Sequence, residues 1–165
     1  MQILNTMHDV LRIFWDSLNG REYSYFCEGS FGSDTAYAKA ADENLKVVLP
    51  EKNQLFVDID NPLNYATYLR NHSTLESFYS VKSVTEAPSK SGTEGKVHIT
   101  ITLSEEIDDR ERLLLQAFLG SDLKREFLGL QRVKANDPHP TLFLEKDKKE
   151  RDQQVGPLGE VEEPF

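Results

Sequence analysis

The stretch Leu55-Phe56-Val57-Asp58-Ile59-Asp60-Asn61-Pro62 decides the fold. Side chains along a strand point alternately to opposite faces. Leu55, Val57 and Ile59 therefore share one face, and Phe56, Asp58 and Asp60 the other. The result is a strand with one apolar side and one acidic side. Asn61 can cap a helix, and Pro62 suits a first helical turn. A strand-to-helix junction is expected at that point.

Working towards the C-terminus, a helix is expected over 62–79, with Leu63, Leu69, Leu75 and Phe78 among its apolar positions. Residues 81–87 can form a second strand. Pro88-Ser89-Lys90-Ser91-Gly92-Thr93-Glu94-Gly95 is a small-residue loop. A third strand over 96–103 alternates strictly, with Val97, Ile99, Ile101 and Leu103 set against His98, Thr100 and Thr102. Polar residues 104–109 cap a helical stretch holding Leu113, Leu114, Ala117 and Phe118. It breaks near Gly120-Ser121 and resumes over 122–133. After a turn at Pro138 to Pro140, Thr141-Leu142-Phe143-Leu144-Glu145 is a fourth strand, with Leu142 and Leu144 turned under the helices and Thr141, Phe143 and Glu145 opposite. The order is βαββαβ. It predicts an α+β fold of the ferredoxin-like or RNA-recognition-motif-like kind, an antiparallel sheet with its helices on one face. The first and third strands would lie side by side in the centre, with the fourth beside the first.

Working towards the N-terminus, Ile3, Leu4, Met7, Val10, Leu11, Phe14, Trp15 and Leu18 have helical spacing, stopped by Asn19-Gly20. Residues 23–27 can be a short strand, 28–33 a turn cluster, and 35–45 an Ala-rich helix. Pro50 and Asn53 then punctuate the chain. The expected division is an N-terminal α/β extension over 1–54 that packs on the core, a βαββαβ core over 55–147, and a disordered acidic tail over 148–165.

The chain has 165 residues, 28 Asp plus Glu and 19 Lys plus Arg, a net charge of −9. Bulk charge of that sign excludes coating of nucleic acid or an anionic membrane, since both need a basic footprint. Cys27 is the only cysteine, so no intrachain disulfide forms, and the four His with that Cys have no zinc spacing. The first residues lack a basic n-region, and no apolar run reaches membrane-spanning length. A soluble, cytoplasmic protein of a reducing compartment is expected.

The predicted topology sets Asp58 and Asp60 between His98 and Glu145. Two carboxylates about 7 Å apart along one strand face repel each other unless a cation lies between them. Mg²⁺ or Mn²⁺ prefers oxygen ligands and removes that cost, with Glu145 as a third ligand. Two such ions suit phosphoryl or nucleotidyl transfer. The loop before the third strand offers the hydroxyls of Ser89 and Ser91, the lysines Lys90 and Lys96, and Gly-flexed backbone N–H groups, as a triphosphate requires. His98 follows on the same sheet face and can donate to a phosphate oxygen.

These residues resemble the archaeo-eukaryotic primase superfamily, the primase–polymerase fold. That family carries hhDhD in a first strand, then S-x-H or S-G-x-G-x-H entering a later strand, then an acidic residue ending another. The matching stretches are Leu55-Phe56-Val57-Asp58-Ile59-Asp60, then Ser89-Lys90-Ser91-Gly92-Thr93-Glu94-Gly95-Lys96-Val97-His98, then Phe143-Leu144-Glu145. The resemblance covers roughly 55–147. It implies Asp58, Asp60 and Glu145 as metal ligands, and Ser91 and His98 as contacts to the incoming nucleotide. Asp58, Asp60, His98 and Glu145 are then the catalytic candidates, and Ser89, Lys90, Ser91 and His98 the nucleotide-binding ones. Glu145 stands where the family more often has Asp, and Asp147 competes for that role. The stretch Leu115-Gln116-Ala117-Phe118-Leu119-Gly120-Ser121-Asp122-Leu123-Lys124-Arg125-Glu126 is similar to one in small phage-type proteins.

Two functions compete. One is a small bacteriophage-type primase–polymerase-like protein that binds a nucleoside triphosphate with divalent metal for nucleotidyl transfer in DNA replication. Its partners would be the nucleotide and single-stranded nucleic acid held with a partner protein, with no membrane. The other is a non-catalytic phage accessory or replication-partner protein on the same fold. An RNA-recognition module would need stacking aromatics on the open sheet face, where only Phe56 and Phe143 qualify. A rolling-circle nuclease is excluded, because His98 has no paired His and no Tyr follows Tyr79. Elsewhere the plainer expectations are solubilising roles for Lys90 and Lys96, and a helix cap with surface ion pairs for Asp122, Lys124, Arg125 and Glu126. Arg110, Arg112 and Arg132 have no signal aiming them at the site, and Cys27 has no activating pattern.

Overall fold

A computed structural model describes residues 32–88 and 96–146. Helix α1 (Ser33–Asp42) leads to strand β1 (Lys46–Val48), then β2 (Gln54–Ile59) and α2 (Pro62–Phe78). Strands β3 (Val81–Pro88) and β4 (Val97–Leu103) follow, then α3 (Asp109–Phe118), α4 (Leu123–Lys134) and β5 (Phe143–Glu145). The described residues thus form a mixed α+β fold with four helices and two antiparallel sheets, one ordered β2-β4-β3 and one pairing β1 with β5.

Local chemistry sets the element ends. The Asn61 side chain accepts from the Asn64 N–H at 3.0 Å, and Pro62 opens α2. Asp108 caps α3 by accepting from Glu111 N, and Asp122 caps α4 by accepting from Lys124 N and Arg125 N. Between α3 and α4 the chain turns at Gly120, whose φ of 88° is left-handed. A Cβ there would also lie 2.5 Å from the carbonyl oxygen of Asn64. Only glycine meets both conditions.

The face assignment of the two central strands holds. Leu55, Val57, Ile59, Ile99, Ile101 and Leu103 form one buried cluster with Tyr68 and Leu75 of α2 and with Leu119 after α3. Each such burial contributes about 1.5–3 kcal/mol. Within α2 the buried set differs from expectation. Leu75 turns inward beside Tyr68, while Leu63 and Phe78 are each 77% exposed and Leu69 is exposed too. A second cluster joins Leu113 and Ala117 of α3 to Leu130 of α4.

The sheet departs from the expected order at one strand. β2 and β4 are neighbours, with β3 on the far side of β4, as expected. The fourth strand does not extend that sheet. β5 pairs with β1, setting Lys46 opposite Glu145 and Val48 opposite Phe143. The reason lies along the outer edge of β2, where other groups already hold the backbone. Phe56 N donates to Gln116 Oε1 at 2.8 Å, and Asp58 N donates to Ser121 Oγ at 3.0 Å. Phe56 O accepts from Arg125 Nη1 at 2.8 Å, and Asp58 O accepts from Asp122 N at 2.8 Å. A buried backbone group needs one partner, and these are supplied by α3, α4 and the turn between them. Leu142 and Leu144 accordingly line a cavity instead of joining the main core.

Several expectations fall outside the described residues: the helix over 3–18, the strand over 23–27, Cys27, the loop with Ser89, Lys90 and Ser91, the alternative ligand Asp147, and the tail over 148–165.

Candidate functional site

The register of β2 on β4 places Asp58 directly opposite His98. His98 Nε2 lies 3.5 Å from Asp58 Oδ1, and His98 Nδ1 lies 3.9 Å from Glu145 Oε1. The imidazole therefore sits between two carboxylates that are far apart in sequence. Asp60, just past the end of β2, has Lys96 Nζ at 3.7 Å from its Oδ1. Both of those side chains are more than a third exposed, so this pair adds little stability. Asp58, His98 and Glu145 thus meet, but in another order than expected: His98 lies between Asp58 and Glu145, where the two aspartates were expected between His98 and Glu145, and β5 arrives from the other sheet.

What brings β5 over this face is aromatic. The Phe143 ring stacks on His98 at 3.9 Å between centroids and on Phe56 at 4.4 Å. The Arg125 guanidinium lies over the Phe143 ring at 4.7 Å from its centroid. Phe56 and Phe143 are both buried, packed on each other. They are not platforms for nucleobases, which removes the main support for an RNA-recognition module.

Below the stack is a buried polar network that the sequence did not announce. Glu126 is fully buried and accepts from Gln116 Nε2 at 2.8 Å, Ser121 Oγ at 2.6 Å and Arg125 Nη1 at 2.6 Å. Burial pushes its carboxyl upward, while Arg125, Ser121 and Gln116 pull it back. Three donors on two oxygens describe a carboxylate. Arg125 and Glu126 are therefore not a surface ion pair, as adjacent charges on a helix had suggested. Asp122 does cap the helix as expected.

Asp58 has its carboxyl raised to about 6. Burial is the main cause, Arg125 opposes it, and Asp60, Asp122 and Glu126 add to it.

The stack borders a cavity of about 370 Å³ lined by Asp58, Asp60, His98, Lys96, Arg125 and Phe143, with Lys39 from α1 and Arg132 from α4 on its wall. That volume is in the range of small-molecule sites. Lys39, Arg125 and Arg132 carried no sequence signal towards the site, since each arrives from a helix whose docking is tertiary. Arg112 is employed elsewhere, donating to the carbonyls of Gln54, Glu51 and Lys52. Arg110 is exposed.

The donor set suits a hard cation in one respect. Asp58 and Asp60 are oxygen donors on one side of β2, both line the cavity, and burial of the Asp58 carboxyl outweighs the opposing charge of Arg125. Glu145 would reach a shared ion only from the far side of the His98 ring. Among the described residues no three His, Cys, Asp or Glu are already grouped around a metal position.

Comparison with protein-family models, with curated proteins and with solved structures gives no match. Among the described residues no helix is long and apolar enough to cross a membrane.

Proposed function

We propose that the cavity binds a nucleoside triphosphate together with Mg²⁺ or Mn²⁺, and that the chain is a small primase–polymerase-like protein acting in DNA replication. The observation that carries this reading is the sharing of one cavity by Asp58, Asp60 and His98 with Lys39, Lys96 and Arg132, while Glu145 meets His98 from β5. Carboxylates and cations lining one cavity match a metal–polyphosphate ligand. The β2-β4-β3 order agrees with part of a ferredoxin-like plan, whose fourth strand would here be displaced onto β1.

In this proposal Asp58 and Asp60 hold the ion and Glu145 approaches it past His98. Lys96 and His98 hold phosphate oxygens, with Ser89, Lys90 and Ser91 contributing from the preceding loop. The ion, when bound, would offset phosphate charge at the reacting phosphorus. Arg132 and Lys39 would orient the remaining phosphates.

The Asp58→Ala/Asp60→Ala double variant should lose Mn²⁺-dependent nucleotide binding in calorimetry while keeping its circular dichroism spectrum. Unchanged binding overturns the reading. The non-catalytic accessory protein remains the second reading. It is favoured by Lys96 and Arg125 already standing beside the aspartates. Nucleotide binding without turnover of template, nucleotides and Mn²⁺ would select it.

A further inference from the structure

Arg125 occupies an unusual position between the two sheets. Its Nη1 donates to Phe56 O at 2.8 Å on β2, to Glu126 Oε1 at 2.6 Å and to Ser121 Oγ at 3.3 Å. Its Nη2 donates to Leu142 O at 3.2 Å, just before β5. Its Cζ lies over the Phe143 ring, which in turn stacks on His98. No backbone hydrogen bonds join β2 to β5, because their strand partners are β4 and β1. The guanidinium therefore spans the place where a strand pairing would have been.

We propose that Arg125, oriented by the buried Glu126, is a positioning residue that fastens β5 across β2 and so sets Phe143 on His98 and Glu145 beside it. The chemistry fits arginine and not lysine. One planar group must donate to carbonyls on β2 and just before β5, donate to a carboxylate and lie over a ring at once. A lysine ammonium can neutralise Glu126 but cannot reach Phe56 O and Leu142 O together in one plane. Glu126 supplies the counter-charge that lets the guanidinium stay only 17% exposed. Gln116 and Ser121 fix the carboxylate in turn, and each also holds the backbone of β2. Arg125 has four acceptors already, so its part is to hold the site's geometry and not to grip the ligand.

The geometric proposal stands without the nucleotide reading; only its effect on affinity rests on that reading. The test uses the full chain and the His98 ring protons in aromatic NMR spectra, assigned by their loss in His98→Gln. In the unmodified protein they should be displaced upfield by the stacked Phe143 ring, and Phe143→Leu should remove the displacement. Arg125→Lys should lose most of it while amide spectra remain those of a folded protein. Retention of the full displacement in Arg125→Lys overturns the proposal. The unmodified chain gives a second measurement that needs no folded variant. Arg125 Nη protons held by four acceptors should give separate, slowly exchanging signals, and averaged, fast-exchanging ones overturn the proposal. If Mn²⁺–nucleotide binding is present, Arg125→Lys should weaken it about tenfold, the scale of one lost charge-assisted hydrogen bond. Absence of binding in the unmodified chain counts against the nucleotide reading alone, since the ring-proton result is independent of it.

Discussion

Asp58 has its backbone in a strand edge and its carboxyl in a half-dry cavity. Its N–H and carbonyl are satisfied by Ser121 and Asp122. Its side chain lies 3.5 Å from His98 Nε2. With the carboxyl raised to about 6, the protonated form is favoured by folding. The contribution to stability is therefore fully present below the ordinary value of 3.8 and is lost as pH rises through about 6. The carboxyl carbon of Asp58 should titrate near pH 6 in an NMR series, and a midpoint in the ordinary aspartate range would contradict this. Asp58→Asn should be at least as stable as the unmodified protein at pH 7, by at most about 3 kcal/mol. That advantage should fade towards pH 4 in thermal melts.

At the scale of elements, the turn between α3 and α4 serves both the core and the site. Gly120 allows the chain to reverse against α2, where Asn64 Nδ2 donates to its carbonyl at 2.7 Å. Ser121 and Asp122 then close the edge of β2, and Arg125 follows one turn later. Gly120→Ala combines a left-handed φ with a 2.5 Å approach to Asn64 O, and should cost about 2 kcal/mol or more in chemical denaturation. A loss below 0.5 kcal/mol, roughly the range of an ordinary surface substitution, would show that the turn relaxes freely. Gly120-Ser121-Asp122 was legible as a helix break and cap, and it is one. That its side chains and amides would replace a neighbouring strand was not legible, because hydrogen bonds between residues about sixty positions apart leave no local pattern.

At the scale of the molecule, the described residues are fastened at points far apart in the chain. The Ser33 N–H at the start of α1 donates to Asp137 Oδ2 at 2.7 Å, 104 positions away. Against a burial effect that would raise it, that bond, those from the Ser33 side chain and His139 N, and the charge of the nearby Arg132 hold the Asp137 carboxyl below its usual range. The sign is opposite to that of Asp58. The stability is present above the ordinary carboxylate value and is lost as pH falls through the lowered one. Asp137→Ala should lower the melting temperature at pH 7, with the difference shrinking as the pH is taken to 3. An equal difference at both pH values would place the effect elsewhere. Since α1 carries Lys39 to the cavity wall, the same variant should also loosen that wall.

The sequence by itself determined the periodic part of this protein. Alternation over 55–60 and 96–103 fixed two strands and their faces, because a strand's period of two assigns every side chain once one is assigned. Asn61-Pro62 and Asp122 marked helix starts through backbone chemistry that is local. The convergence of Asp58, Asp60 and His98 was readable for the same reason, since two strands in register bring their matching faces together. Tertiary structure alone decided where β5 goes. Residues 46–48 had too few side chains to show a period, so the partner of β5 was invisible. The outer edge of β2 was already taken by Gln116, Ser121, Asp122 and Arg125, so the expected pairing had no free hydrogen-bonding groups to use. Glu145 still reaches His98, because the stack of Phe143 on His98 and Phe56 under Arg125 brings β5 over the same face that a backbone ladder would have extended.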